Sequence, residues 1–101
     1  MSVAPGQSEV LLAGRLDVHS VADVRAALHA AIDEGSGDLV VDVAEVEVMD
    51  ATGLGVLVGA HRRAGRAGRR LVLQGANPRL SRLLRATRLH RILVLEPTPA
   101  A

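Results

Sequence analysis

Residues 39–43, Leu-Val-Val-Asp-Val, form a short β-branched run introduced by Gly37-Asp38. Comparable apolar runs stand at Val10-Leu11-Leu12-Ala13, Leu71-Val72-Leu73 and Ile92-Leu93-Val94-Leu95. Each neighbouring pair is separated by a stretch with apolar residues at helical spacing. Short strands alternating with helices of about 10–15 residues leave few ways to bury both, and a mainly parallel sheet with right-handed crossovers is the usual one. A chain of 101 residues is one domain. The expectation is therefore a single α/β domain, with a mixed, mainly parallel sheet of about four to five strands and helices packed on it. Its core would span residues 8–96, with loose ends at 1–7 and 97–101.

The local signals fill in the order. Pro5, Gly6 and Ser8 interrupt the lead-in. Gly14 breaks or bulges the first run before Arg15-Leu16-Asp17 resumes, which predicts two short strands or a hairpin. Ser20 is placed to cap a helix, with Asp23 at the capping-box position. Val21, Val24, Ala27, Leu28, Ala31 and Ile32 form its apolar stripe, and Gly35 is its natural stop. Val46 and Val48 alternate with Glu45 and Glu47, predicting a half-exposed extended segment. A second helix is expected from about residue 52 to about residue 64, ended by Gly65 or Gly68. Asn77 and Pro78 have the chemistry of a third helix start, with Leu80, Leu83 and Leu84 on its apolar side and Arg79, Arg82 and Arg85 on another.

Composition removes several classes. There is no cysteine, which excludes disulfide and thiolate sites, and no Phe, Trp or Tyr, which excludes base-stacking platforms. No run of about 18 uncharged apolar residues exists to span a membrane, and Met1 to Gly6 lacks a signal-peptide pattern. The expectation is a cytoplasmic protein. Charge is polarised: residues 1–50 carry ten carboxylates against Arg15 and Arg25, whereas residues 51–101 carry ten arginines against Glu96. Arginines 62, 63, 66, 69 and 70, with Arg79, Arg82 and Arg85, raise a nucleic-acid surface as a reading, but no helix-turn-helix signal accompanies them. Solvated basic faces are the simpler account.

No catalytic constellation is evident, and neither a cofactor nor a metal is expected. His19, His29, His61 and His90 are scattered, with His29 and His61 read as solvated helix residues. Two of Asp17, Asp42 and Asp50, near strand ends, could hold a metal or act as acid and base, but their spacing does not require it. Thr52 as an enzyme nucleophile lacks a positioned base.

The unusual stretch is Asp50 to Gly59. Gly53, Gly55 and Gly59 sit in or at the start of a helix, each at a cost of up to about 1 kcal/mol relative to Ala. Close packing on the sheet accounts for Gly59. Gly53 and Gly55, with Ala51, would leave the Thr52 hydroxyl uncrowded at a strand-to-helix turn. The first turn of a helix offers free N–H groups and partial positive charge, so a phosphate on Thr52 would be tolerated there. An ordinary capping hydroxyl is the competing reading for Thr52, as capping is for Asp50. A nucleotide cradle is the weaker third, since the spacing fits neither phosphate-binding fingerprint and the chain has no lysine.

Val48-Met49-Asp50-Ala51-Thr52-Gly53-Leu54-Gly55-Val56-Leu57 resembles the signature of the anti-sigma-factor antagonists, bacterial proteins built on the STAS domain. Gly14-Arg15-Leu16-Asp17 is similar to the family's Gly-x-Leu-Asp, and Asn77 to Leu84 with Thr87-Arg88-Leu89 to its third helix and exit turn. The resemblance spans about residues 8–96. It implies a STAS-like fold and a non-enzymatic role in transcription regulation and stress response by partner switching. The unphosphorylated form would bind an anti-sigma factor that is also a serine/threonine kinase, freeing a sigma factor. Phosphorylation at the position of Thr52 would abolish binding and a phosphatase would restore it. The implied partner surface is Asp17, Asp50, Ala51, Thr52, Gly53, Leu54 and Gly55, with no direct nucleic-acid or membrane partner. The alternative within the same fold is a STAS scaffold not controlled by phosphorylation, serving a signalling assembly or lipid transport. Thr replaces the commoner Ser, and Ala51 stands where a second Ser is frequent. The chain stops after Pro97-Thr98-Pro99, where many relatives continue into a helix.

Overall fold

The computed structural model describes residues 2–4 and 8–97. Its elements are β1 (Ser2–Ala4), β2 (Glu9–Leu16), α1 (Val21–Glu34), β3 (Leu39–Met49), α2 (Ala51–Arg66), β4 (Leu71–Gln74), α3 (Pro78–Ala86), a 3-10 turn (Leu89–Arg91) and β5 (Val94–Glu96). The five strands form one sheet in chain order; β1 is antiparallel to β2 and every other pair is parallel. This is the α/β arrangement that the alternation of short apolar runs and helical stripes predicts.

Alternation along the strands decides which face is covered. Val10, Leu12 and Leu16 of β2, Leu39, Val41 and Val43 of β3, and Leu71 and Leu73 of β4 are all buried in one cluster with Val24, Leu28 and Ile32 of α1 and Leu54, Leu57, Ala60 and Ala64 of α2. Parallel strands in sequential order with crossovers of one hand place their helices on one face. On the other face, Glu9, Val40, Val72 and Val94 are register partners across four strands. Val72 is buried there yet lies outside the main cluster.

Several local expectations need correction. The lead-in is not wholly loose: Ser2 to Ala4 pair with Leu11 to Ala13 as an edge strand, and Val3 packs against the core. The loose-end expectations for Met1, residues 5–7 and residues 98–101 lie outside the described residues. β2 is one continuous strand. Gly14, at φ 97°, a conformation open to glycine at little cost, sits beside a register shift, which agrees with the expected bulge and not with the expected break. Asp42 lies within β3 rather than at its end; its Oδ1 accepts from the Ala44 N–H at 2.9 Å, where the pairing with β2 slips. Ser20 does not cap α1 with its side chain. Its hydroxyl donates to the Arg15 carbonyl at 2.8 Å and accepts from the Asp17 N–H at 3.1 Å, so it closes the β2–α1 turn instead. The last strand is Val94–Glu96; Ile92 belongs to the end of the 3-10 turn, and Leu93 is buried between the two. Asn77 behaves as expected, its side chain accepting from the Leu80 N–H at 2.8 Å with Pro78 opening α3.

One buried charge holds the helix layer. Arg69 is 5% exposed, and its guanidinium donates to the carbonyls of Ala31 at 2.7 Å, Ile32 at 3.1 Å and Gly37 at 2.9 Å. Those of Ala31 and Ile32 are among the last carbonyls of α1, which have no partner inside the helix.

His29 is half-buried rather than solvated. Burial lowers its pKa below the usual histidine value, and Arg63, Arg25 and Arg66 act in the same direction against Asp33. A lowered folded-state pKa means that the neutral ring is favoured. Its stabilising contribution is complete above the unfolded value of about 6.5 and is lost as pH falls through the folded one. The melting temperature should therefore drop between pH 7 and pH 5, and His29→Gln should flatten that limb in circular-dichroism melts. Asp17, Asp33 and Asp38 also sit below the ordinary carboxylate value, through the His19 N–H, the Arg63 guanidinium and the Arg70 guanidinium respectively. Their contribution is lost only in stronger acid, as pH falls below about 4.

Candidate functional site at the carboxyl ends of β2 and β3

Leu16 and Met49 are register partners at the ends of their strands, and the Asp50 N–H donates to the Leu16 carbonyl at 3.3 Å. That pairing brings Asp17 and Asp50, 33 positions apart in sequence, to one corner of the sheet. Asp50 is extended, at φ −106° and ψ −174°, and its Oδ1 accepts from the Gly53 N–H at 3.0 Å. It is thus the N-cap of α2, which resolves the capping question in its favour. Thr52 is left as an exposed hydroxyl in the first turn, and among the described residues no hydrogen bond holds its side chain.

Asp17 is partly buried. Its Oδ1 accepts from the His19 N–H at 2.9 Å, and its Oδ2 lies 3.5 Å from Arg15 Nε. The His19 N–H is the main reason that its pKa is lowered, so the corner holds a firmly ionised carboxylate at neutral pH. Asp42 is not part of this corner. Among the described residues no group of three His, Cys, Asp or Glu side chains could hold a metal ion.

The glycines divide differently from the sequence expectation. A Cβ on Gly53 would lie 2.7 Å from both the Cγ and the carbonyl oxygen of Leu16, and 3.0 Å from Met49 Cγ. Gly53 is therefore the packing glycine that lets α2 start against β2 and β3. Gly59, expected to pack on the sheet, is exposed with open space where a Cβ would be, as is Gly55. Ala51, Thr52 and Gly55 are exposed. Leu54 is only 6% exposed and Gly53 is buried, so these two support the corner from beneath and are corrected as surface residues.

A family profile described as "Mlab, STAS domain" matches residues 2–96. The chain belongs to the STAS-domain family. This STAS domain is 34% identical over 85 residues to the anti-sigma-B factor antagonist of Staphylococcus epidermidis, covering 84% of this chain and 79% of the relative. The Staphylococcus aureus counterpart is 32% identical over the same coverage. Among solved structures, an anti-sigma factor antagonist from Mycobacterium paratuberculosis superposes with a TM-score of 0.75 at 23% identity, over 96% of this chain and 84% of that one. SpoIIAA in its unphosphorylated form gives 0.69 at 21% identity, over 99% and 88%. The likeness to these structures shows the fold, in which four parallel strands of one sheet are accompanied by three helices.

Sequence reasoning missed Val18. It follows Asp17 in the β2–α1 turn and is 63% exposed, a large apolar group displayed at the same end of this STAS domain. A β-branched residue in a loop beside a candidate surface was the available signal. Sequence reasoning also assigned His61 to solvent, whereas its Nδ1 is buried without a partner among the described residues.

The glycine geometry makes two opposite predictions. Gly53→Ala should destabilise by about 1–3 kcal/mol, because the Leu16 backbone cannot give way. Gly55→Ala and Gly59→Ala should each stabilise by about 0.5–1 kcal/mol, since nothing obstructs the methyl group and helix propensity improves. Urea titrations of the three variants check both signs.

Proposed function

We propose that this chain is an anti-sigma-factor antagonist that works by partner switching. Unphosphorylated, it binds an anti-sigma factor with serine/threonine kinase activity and frees a sigma factor for transcription. Phosphorylation of Thr52 ends that binding, and a phosphatase restores it. The observation that carries the reading is the exposed, unengaged Thr52 hydroxyl in the first turn of α2, next to the Asp50 cap. A kinase can reach this hydroxyl without unfolding anything. Asp17, Asp50, Ala51, Thr52 and Gly55 form the partner surface, and Gly53 and Leu54 hold it in place. The names of the staphylococcal relatives support the assignment, as does the sharing of this fold by SpoIIAA, known in unphosphorylated and phosphorylated forms.

Phosphorylation adds about −1.5 to −2 charges at neutral pH. They arrive beside Asp50 and near ionised Asp17, so an interface matched to the uncharged alcohol meets a strongly anionic surface. The test is incubation with the cognate anti-sigma kinase and ATP, followed by mass-spectrometric mapping. Phosphate is expected on Thr52; phosphate only elsewhere overturns the mechanism.

A further inference from the structure

The corner formed by the end of α3, the 3-10 turn and β5 carries a charge that the partner-switching site does not use. Arg85, Arg88 and Arg91 are exposed at this corner, Arg82 and Arg79 are exposed further back along α3, and no Asp or Glu occurs between Gly75 and Leu95. The ion pairs among the described residues involve Arg15, Arg63 and Arg70, and none of these five. Successive backbone hydrogen bonds, Arg88 N–H to the Arg85 carbonyl and Arg91 N–H to the Arg88 carbonyl, set the last three arginines one turn apart. Arg88 adopts φ 62°, a left-handed conformation that glycine would take without strain. The chain thus keeps a cation where its backbone would favour a smaller residue.

Apolar surface lies within this charge. Ile92 is 49% exposed and Leu95 36% exposed. A shallow groove of about 290 Å³ is lined by Ala76, Ser81, Arg85, Leu95, Glu96 and Pro97. Glu96 is its one carboxylate, and it acts on Arg70, whose charged form it favours.

We infer that this corner is a second docking surface, which takes a carboxylate-rich segment of another protein with interspersed aliphatic residues. Guanidinium groups pair carboxylates in a fixed fork, and the groove beside Arg85 accepts an aliphatic side chain. A nucleic acid would use the arginines but leave Ile92 and Leu95 facing its phosphates, and the chain has no aromatic platform for bases. The inference is independent of Thr52.

The test titrates the ¹⁵N-labelled full chain at 150 mM NaCl with three probes: a blocked twelve-residue peptide of Glu-Glu-Leu repeats, an all-glutamate peptide of the same length, and a 16-base-pair DNA duplex. The Glu-Glu-Leu peptide should shift the amide signals of Arg85, Arg91, Ile92 and Leu95 and leave Thr52 in place. Arg85→Glu with Arg91→Glu should weaken it at least tenfold, Ile92→Ser severalfold, and Thr52→Glu not at all, each variant keeping the dispersed spectrum of the folded chain. Tighter binding of the duplex, equal binding of the all-glutamate peptide, shifts confined to another surface, or no shift at 1 mM peptide would each overturn the inference.

Discussion

Thr52→Glu is expected to weaken the proposed complex with an anti-sigma partner by about 30-fold or more, while Thr52→Ala stays within about threefold of the parent chain. Two unit charges about 4 Å apart at an effective dielectric of 20 repel by about 4 kcal/mol. If half of that is felt in the complex, a cost of about 2 kcal/mol is about 30-fold in affinity. The phosphate itself carries nearly twice the charge and should act more strongly. The folded domain should barely notice. A negative group in the first turn of α2 gains about 0.3–1 kcal/mol from the helix N-terminus, offsetting repulsion from Asp50 within the free chain. Isothermal titration with the purified partner, alongside thermal melts of each variant, separates the two effects. Loss of binding with an unchanged melting temperature is the switch. Equal binding of the Glu variant would instead make the domain a scaffold indifferent to phosphorylation.

How much of this was legible beforehand varies with the physics that sets each feature. The three helices and the parallel strands follow from periodicity, which is local. β1 does not, because a three-residue edge strand needs only its pairing with Leu11 to Ala13 and the packing of Val3. The last strand is displaced because the left-handed Arg88 starts a further turn that absorbs Ile92. The Thr52 corner was legible as a turn, but the meeting of Asp17 and Asp50 depends on strand register, which no local pattern encodes. The misassigned glycine is instructive. Gly53 falls on the same helical stripe as Val56, Leu57, Ala60 and Ala64, all buried, whereas Gly59 falls on the opposite one with Thr52 and Gly55. The period that identified α2 also contained the answer. Nothing comparable marks Arg69, which reads like Arg66 and Arg70 on either side of it; only the turn at Gly68, with φ 73°, directs its side chain under α1.

That side chain supports a large stability effect. Arg69→Met should cost about 3 kcal/mol and lower the melting temperature by about 15 °C. The last turn of α1 has no basic residue of its own. The guanidinium reaches in from a segment more than 30 positions away and satisfies carbonyls at the negative end of the helix dipole. It also accepts the task of holding the α1–β3 connection through the Gly37 carbonyl. Replacing a buried charge by an apolar residue can be neutral when both members of an ion pair go together. Here the partners are backbone carbonyls, which lose the guanidinium donor, and those of Ala31 and Ile32 belong to buried residues. Arg69→Lys should recover less than half of the loss, because a single ammonium cannot span carbonyls arranged for a planar fork. The damage should appear first at the end of α1, as faster amide exchange near Ala31 to Ser36, before the sheet is affected. A Met variant that melts within about 3 °C of the parent chain would mean that α1 is held by its apolar stripe alone.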